Sequence, residues 1–179
     1  MVDIHQKGLK SYIRSVPDFP KPGIVFRDIT TLLKDKAAFN ATIKTFCDRY
    51  RNSGITQVVS IESRGFIFGS ALAFALGVGF VPVRKPKKLP APTIREEYQL
   101  EYGTDALELH IDALSETDTV LIVDDLLATG GTILAACTLV RRLHARIHGL
   151  AFLIELSFLG GRRRLTDYDV FSLITYDHE

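Results

Sequence analysis

Residues 120–132 read VLIVDDLLATGGT. An apolar run meets two adjacent carboxylates, Asp124 and Asp125. Small and hydroxylated residues follow: Ala128, Thr129, Gly130, Gly131 and Thr132. Glycine lets a backbone bend sharply and approach a ligand closely. A helix opening at Gly131 would turn its first free N–H groups, and the positive end of its dipole, toward an anion. Thr129 and Thr132 add hydroxyl donors. That chemistry suits one phosphate monoester. The acids would repel such an anion unless they had another task. Carboxylates accept hydrogen bonds from a sugar cis-diol and hold a divalent cation through water. A ribose bearing a 5′-phosphate presents both features close together.

Other phosphate motifs are excluded. There is no GK[ST], so no lysine reaches a second or third phosphate from this loop, and GxGxxG is absent. Gly77-Val78-Gly79 precedes an apolar run instead of following one and reads as a turn. His144 and His148 are spaced for a metal on a helix, but no third ligand is apparent. The arginine run 162–164 reads as a solvated turn.

These groups need a frame. The 179 residues suit one domain large enough to bury its own core. Hydrophobic residues are 46% and charged residues 24%, which argues against a disordered or fibrous chain. With 22 basic and 21 acidic residues, net +1, no global field draws nucleic acid or an anionic membrane, and anion binding must be local. The 2 cysteines, Cys47 and Cys137, fall on apolar positions of predicted helices. Buried thiols and a reducing, cytoplasmic setting are expected. The opening MVDIHQKGLK has no apolar secretory segment.

A short helix is predicted over 2–14, then an irregular proline-rich stretch, VPDFPKPG. Asp35 caps a predicted helix running to about Asn52, with Phe39, Ile43, Phe46 and Tyr50 on its apolar face and Gly54 as C-cap. An alternating rhythm follows: strand 57–61, helix 65–76, strand 80–83, strand 119–123, helix 131–145, strands 150–154 and 170–175. Apolar strands alternating with helices predict an α/β fold, a central parallel sheet flanked by helices. Ligands of such sheets sit beyond the carboxyl ends of the strands. Residues 65–83 carry no charge, but Gly77-Val78-Gly79 splits them into helix and strand, so no membrane span is expected. Residues 84–106, charged and rich in proline, read as an irregular lid or mobile loop.

VLIVDDLLATGGT resembles the phosphoribosyl-diphosphate (PRPP) motif of the type I phosphoribosyltransferases. PDFPKPGIVFRDIT (17–30), IESRGFIFGSALA (61–73), VPVRKPKKLP (81–90) and YQLEYGTDALELH (98–110) are similar, in order and spacing, to the adenine phosphoribosyltransferases of that family. The resemblance runs from about residue 12 to 160. It implies one domain over 1–179, with a base-recognition hood over about 1–34 and a mobile lid over about 84–106. It also implies a homodimer without nucleic-acid or membrane partners. The implied reaction is adenine plus PRPP giving AMP and diphosphate, in purine salvage, with Mg²⁺ as cofactor.

The implied roles follow residue by residue. Ala128, Thr129, Gly130, Gly131 and Thr132 would bind the 5′-phosphate. Asp124 and Asp125 would hold the ribose hydroxyls and share Mg²⁺ through water. Ser63, Arg64, Arg84, Lys85 and Lys88 would hold diphosphate, with a cis Glu62–Ser63 peptide aiming backbone N–H groups at it. Lys87 stands where the family often has glycine, which bears on the turn geometry there. Val25, Phe26 and Arg27 would read adenine, largely through backbone groups, with Phe26 stacking and Leu156 on the other ring face. Glu101 would accept or position the base's proton and Tyr102 would sit in the lid, so that Glu101 and Arg64 are the catalytic candidates. Two other readings share the motif: a phosphoribosyltransferase for another base, and a PRPP-sensing regulator that binds nucleic acid. The short stretch before the first proline cluster leaves no room for a helix-turn-helix, which argues against the regulator.

Overall fold

The computed structural model describes residues 8–99 and 103–178. Among them are nine strands: β1 (Arg14–Val16), β2 (Phe26–Asp28), β3 (Gln57–Ile61), β4 (Gly79–Val83), β5 (Thr93–Gln99), β6 (Thr104–His110), β7 (Thr119–Leu127), β8 (Arg146–Leu156) and β9 (Val170–Tyr176). The α-helices are α1 (Thr30–Lys34), α2 (Lys36–Tyr50), α3 (Arg64–Leu76) and α4 (Gly131–Arg142). Five strands form one parallel sheet in the order β4-β3-β7-β8-β9. Two antiparallel pairs, β1-β2 and β5-β6, lie outside it.

The sheet is apolar on both faces because both faces are covered. Val58, Leu121, Val123, Ala151 and Leu153 face one layer with Phe46, Phe68 and Leu72 from α2 and α3. Val59, Val120, Ile122, Leu150 and Phe152 face the other, with Ile133, Ala136 and Val140 of α4 and Leu107 and Leu109 of β6. Helix α3 lies very close to β3. A Cβ on Gly69 would fall 2.5 Å from Ser60 Cβ, and one on Gly65 would fall 2.6 Å from Asp124 Oδ1. Ser60 is buried and donates its hydroxyl to the Val123 carbonyl at 2.7 Å. From β3 the chain passes to β4 on one side, then returns to β7 on the other. Between β3 and β7 the connections diverge, and the loops after those strands open a crevice.

The Asp35 cap is as expected: its Oδ1 accepts from the Ala37 and Ala38 amides at 3.0 and 2.9 Å. Both cysteines are free and buried. Several elements differ from expectation. Residues 9–12 form a single 3-10 turn followed by β1, while 2–7 lie outside the described residues. Helix α2 ends at Tyr50 with Arg51 as its cap, so Gly54 lies beyond it. Helix α4 stops at Arg142. Strand β7 runs through both aspartates to Leu127, drawn on by β8 after its pairing with β3 ends at Val123. The 84–106 stretch is not irregular throughout, because β5 and the start of β6 form a hairpin. Charge on both sides of TIREEYQ hid the alternation that marks a strand. Gly77 takes the left-handed conformation, φ 72°, and ends α3 before β4. Among the described residues no helix is long and apolar enough to cross a membrane.

Strand β2, which carries Phe26, is tethered at Asp28. Its Oδ1 accepts from the Thr30 amide and its Oδ2 from the Thr30 hydroxyl, both at 2.9 Å, and Arg14 Nε donates at 3.0 Å. Those donors hold the carboxyl down at about 2, from 3.8. A depressed acid stabilises the fold above its unfolded value and loses that contribution as pH falls toward its folded value. Chemical denaturation between pH 4 and pH 2 should therefore show stability falling, and Asp28→Asn should flatten that limb. An unchanged limb in the variant would remove Asp28 from the tether.

Candidate active site

The loop between β7 and α4 is shaped by two backbone approaches. Gly130 sits at φ 83°, ψ 0°, and caps α4. That left-handed turn is where glycine costs least. A Cβ on Gly130 would stand 3.0 Å from the Gly161 carbonyl oxygen. A Cβ on Gly161 would stand 2.1 Å from the Ala128 oxygen and 3.0 Å from the Gly130 nitrogen. The turn after β8 therefore lies directly against the loop. Arg162 anchors that turn: its Nε donates to Glu155 Oε1 at 2.8 Å and its Nη1 to the Val170 carbonyl at 2.8 Å. The guanidinium holds the buried Glu155 carboxyl below its usual range. Arg164 Nη1 donates to the Thr129 carbonyl at 3.2 Å. The arginine run is an exposed turn, as expected, and two of its side chains, Arg162 and Arg164, also brace the loop.

Asp124 and Asp125 line one cleft of about 190 Å³ with Arg64, Ala128, Thr129, Gly130 and Thr132. In an undisturbed strand, adjacent side chains point to opposite faces. Here the alternation slips. Ile122 and Val123 face the α4 layer and the α3 layer in that order, whereas Leu126 and Leu127 do so in the reverse order. Gly131 does not line the cleft. It lies under β5, where a Cβ would meet the Gln99 carbonyl at 3.2 Å. Arg64, first residue of α3, forms an ion pair with Asp125. The Asp125 amide donates to Asp124 Oδ1 at 2.9 Å. Burial pushes Asp124 well above the ordinary carboxylate range, and the neighbouring Asp125 charge pushes it further. Burial also raises Asp125, against the pull of Arg64.

The pair could hold a metal in one manner only. Among the described residues no cluster of three or more ligating side chains exists, so the chain offers no complete cage. Two carboxylates suit a hard ion that keeps several waters and takes its other oxygens from substrate phosphates, as Mg²⁺ does.

The candidate anion-binding cations meet at the neighbouring strand ends. Ile61 and Val83 are register partners, so Ser63 and Arg64 after β3 stand beside Arg84 and Lys85 after β4. The Glu62–Ser63 peptide is cis. Arg84 is engaged by the chain itself: Nη2 donates to Glu62 Oε2 at 2.9 Å and Nη1 to the Lys88 carbonyl at 3.1 Å. Lys85 Nζ lies 3.0 Å from Asp105 Oδ2. Lys88 is exposed. Lys87 keeps a glycine-like turn at φ 65°, its amide donating to Glu108 Oε2 at 3.0 Å.

Beside the cleft lies a smaller, mostly apolar slot of about 130 Å³, lined by Ile24, Val25, Phe26, Arg27, Arg64, Leu126 and Leu156. The edge of Phe19 meets Phe26, centroids 5.2 Å apart. Arg64 Cζ stands 5.1 Å from the Phe26 centroid. The Arg27 guanidinium is committed elsewhere, 4.0 Å over the Tyr176 ring and donating to Ser15 Oγ at 2.5 Å. Slot and cleft share Arg64 and Leu126. A flat apolar ring in the slot would thus adjoin a phosphorylated sugar in the cleft. Glu101 and Tyr102 lie outside the described residues. Sequence reasoning missed Gly161, Arg162, Arg164, Tyr98 and Asp105, whose parts depend on contacts distant in sequence; only the GRRR that follows an apolar strand hinted at them.

The phosphoribosyl transferase domain family matches residues 28–179. The adenine phosphoribosyltransferase of Solibacter usitatus is 61% identical over 169 residues, covering 94% of this chain and 98% of the relative. The crystal structure of adenine phosphoribosyltransferase from Thermoanaerobacter pseudethanolicus superposes with a TM-score of 0.92 at 53% identity, covering 95% of this chain and 99% of the other. The Saccharomyces cerevisiae enzyme, crystallised with an imino-altritol bisphosphate and adenine, gives a TM-score of 0.88 at 41% identity over 93% of this chain and 97% of its own.

Proposed function

The chain belongs to the phosphoribosyltransferase family and, within it, to the adenine phosphoribosyltransferases; from that premise we propose that it transfers the 5-phosphoribosyl group of PRPP to adenine, giving AMP and diphosphate, in purine salvage. The observation that carries this reading is the sharing of Arg64 and Leu126 between an apolar slot and an acid-and-amide-lined cleft. A base and a sugar phosphate held there would meet at the anomeric carbon.

In the reaction the anomeric C–O bond to diphosphate breaks, a C–N bond to adenine forms, and the base loses a proton. Ala128, Thr129, Gly130 and Thr132 hold the 5′-phosphate, far from the reacting carbon, so that remote binding serves positioning. Asp124 and Asp125 accept from the ribose hydroxyls and favour the positive charge that develops on the ring. Ser63, Arg64, Arg84, Lys85 and Lys88 receive the diphosphate. Adenine stacks between Phe26 and Leu156, its edge met by backbone groups of Val25–Arg27. Glu101 accepts or positions its proton, and Tyr102 closes with it. Asp124 and Asp125 would hold Mg²⁺ through water, and the ion supplies charge neutralisation for the departing diphosphate.

The segment over about 1–34 acts as a hood and residues 84–106 as a lid that keeps water from the reacting centre. Ile67 and Phe74, seven apart on α3, are 38% and 89% exposed. That apolar face supports a homodimer with α3 at its contact, a state that sedimentation reads directly. Buried free thiols support a cytoplasmic setting. No nucleic acid or membrane partner is proposed.

The substrate test supplies PRPP, Mg²⁺ and, separately, adenine, hypoxanthine, guanine, uracil and orotate, and follows nucleotide formation. AMP alone is expected. Turnover with hypoxanthine but not adenine would overturn the base assignment; no turnover, with salt-sensitive nucleic-acid binding, would favour a regulator.

A further inference from the structure

Asp105, the second residue of β6, lies directly across from Tyr98 of β5. Its Oδ1 accepts from the Ala106 amide at 2.8 Å, which fixes the carboxylate. Its Oδ2 is 3.0 Å from Lys85 Nζ and accepts from the Tyr98 hydroxyl at 3.4 Å. The Tyr98 side chain lies beside Thr132, which lines the phosphate cleft. Asp105 thus takes a long hydrogen bond from a tyrosine beside the phosphate loop and pairs with Lys85 at the end of β4. The pair is partly wet: the Lys85 side chain is 58% exposed and that of Asp105 23%. An ion pair of that exposure is weak and exchangeable, and a polyanion arriving beside it competes on favourable terms.

We propose that Asp105 is a positioning residue, an internal counter-ion that holds Lys85 when diphosphate is absent and yields it when diphosphate arrives. The proposal rests on the reading of Lys85 as a diphosphate ligand. Asp105 pre-places the ammonium at the end of β4 and also weakens its hold on the product, because the carboxylate waits to take the cation back.

Asp105→Asn tests this. The amide oxygen can keep the Ala106 hydrogen bond, while the charge and the acceptor facing Lys85 and Tyr98 are lost. Titration calorimetry of the intact enzyme with inorganic diphosphate and Mg²⁺ should show binding tightened about two- to five-fold. KM for PRPP should fall by a similar factor with no rise in kcat, and both differences should shrink at high ionic strength. Lys85→Ala should weaken diphosphate binding and erase the effect of Asp105→Asn in the double variant. Unchanged diphosphate affinity in Asp105→Asn, with Lys85→Ala still weakened, overturns the exchange and leaves the role of Lys85 intact. Unchanged affinity in Lys85→Ala overturns the diphosphate role of Lys85 itself.

Discussion

Asp125→Asn is expected to lower kcat/KM for PRPP by about 10²-fold or more while leaving the folded protein at least as stable at neutral pH. The two halves of that result have one cause. A carboxylate accepting from sugar hydroxyls makes charge-assisted hydrogen bonds, each contributing about 1.5–3 kcal/mol. The amide keeps the shape and loses the charge. It also releases Arg64, which pairs with Asp125 and stands against Phe26, so the base slot loses its edge together with the sugar site. Stability moves the other way. Burial raises both acids above their unfolded range. A raised acid stabilises the fold below its unfolded pKa, and that contribution is lost as pH rises through the folded one. Charge buried in this pair is a liability, which a neutral amide relieves. Steady-state kinetics and thermal unfolding at pH 7 measure both. Unchanged PRPP affinity would refute the diol role, and a large drop in melting temperature would show that the Arg64 pair stabilises more than burial costs.

Gly161→Ala is expected to reduce turnover by about 10²-fold, although this residue contacts no part of the cleft with a side chain. Its new Cβ would stand 2.1 Å from the Ala128 oxygen. That is about 1 Å inside the closest approach a Cβ makes, 3.0 Å, so the 128–132 loop or the turn must move by at least such an amount. A misplacement of about 1 Å at a positioning group costs on the order of 10²-fold. Gly160→Ala is the control. Gly160 is left-handed at φ 69°, but a Cβ there meets only Arg163 side-chain atoms, at 3.8 Å or more. It should lose some stability and keep its activity. If Gly161→Ala retains normal kcat/KM, the turn after β8 does not position the loop.

What can be read locally was legible in the residues. The strand-and-helix rhythm, the Asp35 cap and the glycine-threonine loop each follow from neighbours in sequence, and β3 and β9 begin at the expected residues, Gln57 and Val170. The β5-β6 hairpin was not legible. Residues 93–99 carry charge on both sides because one side meets solvent and the other lies along α4, where Arg142 donates to the Arg95 carbonyl at 2.7 Å. The strand alternates in burial, but with Glu96 on the covered side, paired with Arg142, that alternation is not written as apolar against polar.

By itself the sequence determined the chemistry on offer: an anion loop, two acids, cations after two strand ends, and an aromatic near the proline cluster. These are contiguous signals, set by backbone propensity and side-chain type. Only the tertiary structure decided how they face one another. The slipped alternation in β7 brings two adjacent acids into one cleft, a strand order that diverges at β3 brings Arg64 to them, and Gly161 reaches Ala128 from beyond β8. Each of these depends on packing between segments far apart in the chain, where the free energy belongs to the pair and neither partner's local pattern records it.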